Sequence, residues 1–148
     1  MSSKLIYIYT DGACRGNPGP GGWGALLECE GYKKEIKGSS QLTTNNIMEL
    51  KAVIEALKLI KNQSKIIVTT DSTYVKNGIN EWIHNWKLRG WKTANKKPVK
   101  NKELWQELDV LSSEHQIDWK WVRGHTGHPG NEKADLLANQ AIDELLNS

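Results

Sequence analysis

The sequence predicts an α/β domain built on one sheet of mixed strand direction. Two patterns carry that expectation. Residues 5–37 hold three β-rich runs, and the chain beyond them alternates helical and extended patterns. A third observation sets the scale: 148 residues, 38% hydrophobic and 25% charged, is the length and composition of one globular domain.

Taken in order, Leu5 to Tyr9 is a short apolar strand, followed by Thr-Asp-Gly and ending at Asp11. The segment from Gly16 to Gly22 reads as a rigid turn. Trp23–Glu28 and Tyr32–Lys37 read as two strands joined at Glu30-Gly31, a hairpin. Thr43 to Asn46 supplies capping residues for a helix over residues 46–61, with Leu50, Val53, Ile54, Leu57 and Ile60 on one stripe. Lys65 to Thr70 is a second core strand, again ending in an acid, Asp71. Two short helices follow, Ser72–Asn80 and Glu81–Leu88, broken near Gly78. A lysine-rich loop leads to a helix from about Asn101 to Leu111 and a strand over Ile117–Val122. The glycine-punctuated loop of residues 124–130 precedes a terminal helix that carries Ala134, Leu137, Ala138, Ala141 and Leu145 on one face. If the helix of residues 46–61 is a right-handed crossover, the strands ending at Asp11 and Asp71 are parallel, and both acids lie at the carboxyl edge of the sheet.

Composition excludes several classes. No apolar run approaches the ~20 residues that span a bilayer, and the N-terminus has no signal-peptide pattern, so a cytosolic protein is expected. Cys14 and Cys29 alone make neither a disulfide framework nor a metal-ligand set. The net charge of +3 conceals a separation. Residues 82–102 contain Lys87, Arg89, Lys92, Lys96, Lys97, Lys100 and Lys102 and no acid, so +3 overall less +7 there leaves −4 elsewhere. A solvated basic face explains this blandly. A polyanion held against a cation-dependent acidic site explains both halves.

Four acids are candidates for that site: Asp11, Glu49, Asp71 and Asp135. Each has an ordinary alternative. Asp11 and Asp71 fit turn or cap residues. Glu49, placed in the first turn of its helix, fits a capping box begun by Asn46. Asp135, placed in the first turn of the terminal helix, fits helix-dipole stabilisation. Brought together, four carboxylates repel one another unless a cation compensates them. All-oxygen ligands suit Mg²⁺ or Mn²⁺ over zinc. Two such ions ~4 Å apart can activate a water and stabilise the leaving oxygen of a phosphodiester.

Residues 10–22 (TDGACRGNPGPGG), 43–50 (TTNNIMEL), 70–75 (TDSTYV), 82–93 (WIHNWKLRGWKT) and 121–135 (WVRGHTGHPGNEKAD) together resemble type 1 ribonuclease H, in its bacterial ribonuclease HI form. The resemblance runs in order from about residue 5 to 146. It implies the ribonuclease H-like fold, a five-stranded mixed sheet flanked by helices, and a chain that is one catalytic domain over residues 1–148. It implies Asp11, Glu49, Asp71 and Asp135 as metal-binding carboxylates for two Mg²⁺, with Mn²⁺ as a substitute. The implied reaction is endonucleolytic cleavage of the RNA strand of an RNA–DNA hybrid, leaving 3′-hydroxyl and 5′-phosphate ends. His125 matches a loop histidine assigned to proton transfer or product release. Cys14, Asn17, Thr44, Asn45 and Asn46 match hybrid-contacting positions, and Thr73 stands where a Gln is often found. The helix and loop of residues 82–102 match a basic protrusion that grips the DNA strand, with Trp82, Trp86, Lys87, Arg89 and Lys97 as contacts. Leu88 departs there from the usual run of basic residues. A free-standing monomer of low processivity, without an obligate protein partner, is expected.

Two decoys are weighed against this reading. Gly19 to Gly24 satisfies G-x-G-x-x-G, but a strand follows it where a dinucleotide site needs a helix, so these glycines are expected to admit a nucleic-acid strand. The pair His125 and His128 lacks further Cys or His neighbours for zinc. A binding-only module and a different nuclease of the same fold are the rival readings. The intact four-acid set disfavours the first, and the protrusion with Thr44-Asn45-Asn46 disfavours the second.

Overall fold

The computed structural model describes residues 5–123 and 128–147. Three strands come first: β1 (Leu5–Cys14), β2 (Gly19–Cys29) and β3 (Tyr32–Thr43). Helix α1 (Asn45–Lys58) leads to β4 (Lys65–Thr70). Then follow α2 (Thr73–Asn77), a π-helical turn (Gly78–Trp82), α3 (Ile83–Leu88), α4 (Lys102–Ser113), β5 (Gln116–Trp121) and α5 (Pro129–Leu146). The strands form one five-stranded sheet in the order β3-β2-β1-β4-β5. β1 runs antiparallel to β2 and parallel to β4, and β5 is parallel to β4. The predicted mixed sheet and parallel β1–β4 pair are both present.

Several boundaries differ from expectation, each for a local reason. β1 does not stop at Asp11: it continues to Cys14 by pairing with β2, Asp11 opposite Gly24 and Cys14 opposite Gly21. Accordingly Gly19 to Gly22 is not turn but the start of β2. Two glycines of this strand, Gly22 and Gly24, face helix α5 and not open space. A Cβ on Gly24 would lie 2.6 Å from the Ala134 carbonyl oxygen of α5, and Gly22 meets α5 in the same way at Ala138. Small residues there let α5 lie directly on β2. The hydrophobic stripe of α1 is buried as read, with Leu50, Val53, Ile54 and Leu57 fully enclosed, but the helix ends before Ile60. No break separates the helices near Gly78. The chain passes from α2 to α3 through the π turn, which leaves room for the Trp105 ring against Gly78.

That ring anchors the base of the basic segment. Trp105 is fully buried, and its indole N–H donates to the Tyr74 hydroxyl at 2.9 Å. Trp86 packs against Trp105 at 5.6 Å and against Trp91 at 6.3 Å between ring centroids. Beyond it the loop is organised by a bridge between Lys92 and Pro98 and by the buried side chain of Val99.

Gly24→Ala forces α5 away from β2, and should destabilise the protein by about 1–3 kcal/mol. Urea unfolding followed by far-UV circular dichroism measures the loss; an unchanged midpoint would contradict the tight α5–β2 seam.

Candidate active site

Backbone register creates the site. Thr10 pairs with Thr70 across the parallel β1–β4 ladder, so the next residues, Asp11 and Asp71, emerge side by side at the carboxyl edge. Helix α1 adds the third acid. Its N-cap is Thr44, whose hydroxyl accepts from the Ile47 N–H at 3.2 Å. Glu49 therefore lies in the second turn, not the first, and caps nothing. It faces β1 instead, and Gly12 is the reason it can come so close: a Cβ there would collide with the Glu49 backbone. The Gly12 N–H donates to the Glu49 carboxylate.

One ligand oxygen each of Asp11, Glu49 and Asp71 lies within 4.8 Å of the others. Asp135 comes to the same cleft from α5, lining it with the other three acids. Since α5 opens at Pro129, with the His128 side chain as its cap, Asp135 also belongs to a second turn. The helix-dipole alternative weakens with that extra turn, because the effect fades beyond the first. Asn139 fixes the Asp135 carboxylate from one turn further on, at 3.3 Å.

The cluster is electrostatically unfavourable by itself. Burial, the neighbouring Glu49 and the neighbouring Asp71 push the Asp11 carboxyl up to about 10. Burial and the Asp71 charge hold Glu49 well above the usual carboxylate range. Near neutral pH the cation-free cluster thus retains protons. Glu49 Oε1 and Asp71 Oδ1 are buried without a hydrogen-bond partner. Two unpartnered carboxylate oxygens, beside the raised carboxyls of Asp11 and Glu49, fit a hard divalent cation, whose binding would displace the protons those two retain.

The cleft has a volume of about 320 Å³ and is also lined by Asn45, Asn46, Thr73 and Tyr74. Asn17 joins this edge, its side-chain oxygen accepting the Asn45 N–H at 3.1 Å. Cys14 is a free thiol beside the Thr43 carbonyl, on the same rim. The predicted contacts Cys14, Asn17, Thr44, Asn45 and Asn46 are thereby gathered on the β1–β3 side of the acids. The protrusion residues lie apart from them. Lys87 is ion-paired with Asp109 of α4 at 3.3 Å, Arg89 and Lys97 are exposed, and Leu88 is 75% exposed. Trp82 and Trp86 are half-buried in the aromatic cluster with Tyr74 and Trp105. His125 lies outside the described residues. His128 is not a spare ligand for a zinc pair, because its Nδ1 accepts the Asn131 N–H at 3.4 Å.

Sequence reading missed Ser72 and Trp121. Ser72 lines the cleft and caps α2 through the Val75 N–H; a Ser directly after Thr-Asp was the available signal. The Trp121 indole N–H donates to the Asp71 main-chain carbonyl at 3.1 Å, a contact across elements with no local signature.

The ribonuclease H family model, described as RNase H, matches residues 3–143. The chain belongs to the ribonuclease H family. It is 61% identical over 142 residues to a ribonuclease H of Thiobacillus denitrificans, covering 96% of both chains. Among solved structures, it is similar to LC9-RNase H1, a type 1 RNase H with the type 2 active-site motif, at a TM-score of 0.88 and 37% identity, covering 97% of this chain and 74% of that one. It is also similar to LC11-RNase H1 solved in complex with an RNA/DNA hybrid, at a TM-score of 0.66 and 30% identity, covering 95% and 99% respectively. The chain is thus a type 1, bacterial-form ribonuclease H, a nuclease of the hydrolase class, with the fold that its motifs implied.

The raised carboxyl groups set the pH dependence of the cation-free protein. A folded-state value above the unfolded one contributes stability that is complete below the unfolded value, near 4, and is lost as pH rises towards 10. With EDTA at pH 8, Asp11→Asn should therefore be more stable than the unsubstituted protein by about 1–3 kcal/mol. At pH 4 the two should melt together. Calorimetric melts at both pH values check this; a less stable Asn variant at pH 8 would contradict charge repulsion in the cleft.

Proposed function

We propose that the chain cleaves the RNA strand of RNA–DNA hybrids endonucleolytically at the acid cleft, leaving 3′-hydroxyl and 5′-phosphate ends. One observation supports this above the rest: Asp11, Glu49 and Asp71 converge within 4.8 Å, with an unpartnered oxygen on Glu49 and on Asp71, in a chain of this family. Asp11, Glu49, Asp71 and Asp135 would hold two divalent ions, Mg²⁺ by preference and Mn²⁺ as a substitute. Such ions supply Lewis acidity to the attacking water and to the departing oxygen.

The protein's own groups do the remaining work. Asp11 and Asp71, fixed by neighbouring strands, hold the reacting centre most rigidly, while Glu49 and Asp135 approach it from helices on either face. Asn17, Asn45 and Asn46 offer amide and backbone groups to the RNA 2′-hydroxyl, the group that distinguishes RNA from DNA. Thr73 lies at the opposite lip. His125 serves as the group that moves a proton or speeds product release, its ordinary titration being close to neutral pH. The basic segment grips the DNA strand through Arg89, Lys97 and the adjoining lysines. Lys87 contributes field there while tied to Asp109. The reading takes the enzyme as a cytosolic monomer.

Labelled hybrid, single-stranded RNA, duplex RNA and duplex DNA, each with Mg²⁺, Mn²⁺ or EDTA, test the assignment. Only the hybrid should be cut, and only with a divalent ion; cutting of all four substrates, or cutting in EDTA, would sink it. Asp11→Asn should nearly abolish turnover, whereas His125→Ala should slow it and leave residual activity. Equal losses would contradict their separate roles. If the protrusion neutralises about five phosphates, log K should fall against log salt with a slope of roughly −4. A slope near zero in a filter-binding titration would remove the protrusion from the binding surface.

A further inference from the structure

The carboxyl edge of the sheet carries one more ordered pair, on the side of the acids away from Asn17 and Asn45. β5 lies next to β4, and its last residue, Trp121, pairs in register with Thr70. Trp121 is therefore the neighbour of Asp71 on the outer strand, and its indole N–H is bonded to the Asp71 carbonyl. The Lys76 ammonium rests over the Trp121 ring, 4.6 Å from its centroid. Lys76 follows Thr73 by three residues, so the two share a face of the α2 rod, and Thr73 already lines the acid cleft. A second, smaller cleft of about 160 Å³ opens between this rod and β5, with Val75, Ile79, Trp119 and Trp121 as its apolar wall and Lys76 and Lys120 as its cations.

No ion pair joins Lys76 to a carboxylate among the described residues; its ammonium rests on the Trp121 ring instead. The ring holds the ammonium at the lip of the cleft and leaves its remaining N–H donors open. A lysine that merely balanced the acids would ion-pair with them. One seated on an aromatic face, on the outer strand's side of Asp71, is placed to receive an anion that crosses the acids. Adjacent strands are about 4.8 Å apart, and a nucleic-acid strand rises about 3.4 Å per nucleotide. A strand lying over Asp11 and Asp71 thus reaches Lys76 within about two nucleotides.

We propose that Lys76, held by Trp121, binds a backbone phosphate of the RNA strand next to the scissile linkage, on the β5 side of the acids. This rests on the acid cleft being the hydrolytic centre. It extends the RNA track across the edge: amides on the β1–β3 side, acids in the middle, a cation on the β5 side. Lys76 acts as a substrate-binding residue and Trp121 as a positioning residue.

The test uses a hybrid with one preferred cleavage site and a single neutral methylphosphonate moved stepwise along its RNA strand. With the unsubstituted enzyme, one position within about two nucleotides of the cut should raise KM about fivefold. Lys76→Met, which keeps an apolar stem on the ring but removes the charge, should raise KM about fivefold on the all-phosphate hybrid. It should show no further penalty from that one methylphosphonate. Lys76→Arg should restore both behaviours, and Trp121→Leu should mimic Lys76→Met in KM while kcat is largely kept. The salt slope of hybrid binding should become shallower by about one unit in Lys76→Met. An unchanged KM in Lys76→Met, or methylphosphonate penalties that stay additive with the substitution at every position, would overturn the assignment. A lower melting temperature with normal KM would do the same, since it would reduce the pair to a structural contact. If the hydrolytic reading itself fails, the unsubstituted enzyme will not cut the all-phosphate hybrid with Mg²⁺, an outcome separate from any of these.

Discussion

Mutual repulsion of buried carboxylates is the constraint around which the molecule is arranged. Asp11 and Glu49 are both about 5% exposed and lie in contact range of Asp71. Left alone they hold protons, and the fold tolerates them there only because rigid elements bring them in from different directions. Asp11 and Asp71 are fixed by the Thr10–Thr70 pairing of the parallel ladder, Glu49 by α1 and Asp135 by α5. No single loop could hold such a cluster. Each acid rides on an element whose far side is committed to the core, so relaxing the repulsion would mean unpacking that core.

The packing details serve the same end. Gly12 lets α1 close on β1 so that Glu49 reaches the edge, and Gly22 with Gly24 lets α5 close on β2 so that Asp135 does. The helices on the two faces converge on one point because backbone lies against backbone at these positions. On the flank, Trp105 fills the space above Gly78 and bonds the Tyr74 hydroxyl, fastening the α2–α3 rod from which the basic segment projects. Tyr74 also lines the acid cleft. The basic segment and the acid cleft therefore share one aromatic anchor, Tyr74 against Trp105.

Charge is distributed along the same plan. The +7 of residues 82–102 stands away from the acids, and its first member, Lys87, is anchored to Asp109 of α4. Separation prevents the lysines from collapsing onto the carboxylates, which would neutralise both. Lys76 rests on an indole, that of Trp121.

Much of this was legible in the residues alone. Thr10-Asp11 and Thr70-Asp71, each closing an apolar run, indicated two acids at one sheet edge, and the apolar stripe of α1 indicated the crossover between them. Those signals are local and periodic, so a sequence carries them. The register of Thr10 against Thr70, the true second-turn positions of Glu49 and Asp135, and the extension of β1 past Asp11 were decided by partners far away in the chain. So was the role of Gly22 and Gly24, which form a seam for α5. The Trp121–Asp71 bond and the Lys76–Trp121 contact have no sequence signature, because they join residues about 45–50 positions apart only after the sheet has formed. The sequence by itself determined which chemical groups the protein owns and which face of each element is buried. Tertiary structure decided which of those groups meet, since repulsion and desolvation among acids arise only when distant strands and helices are packed together.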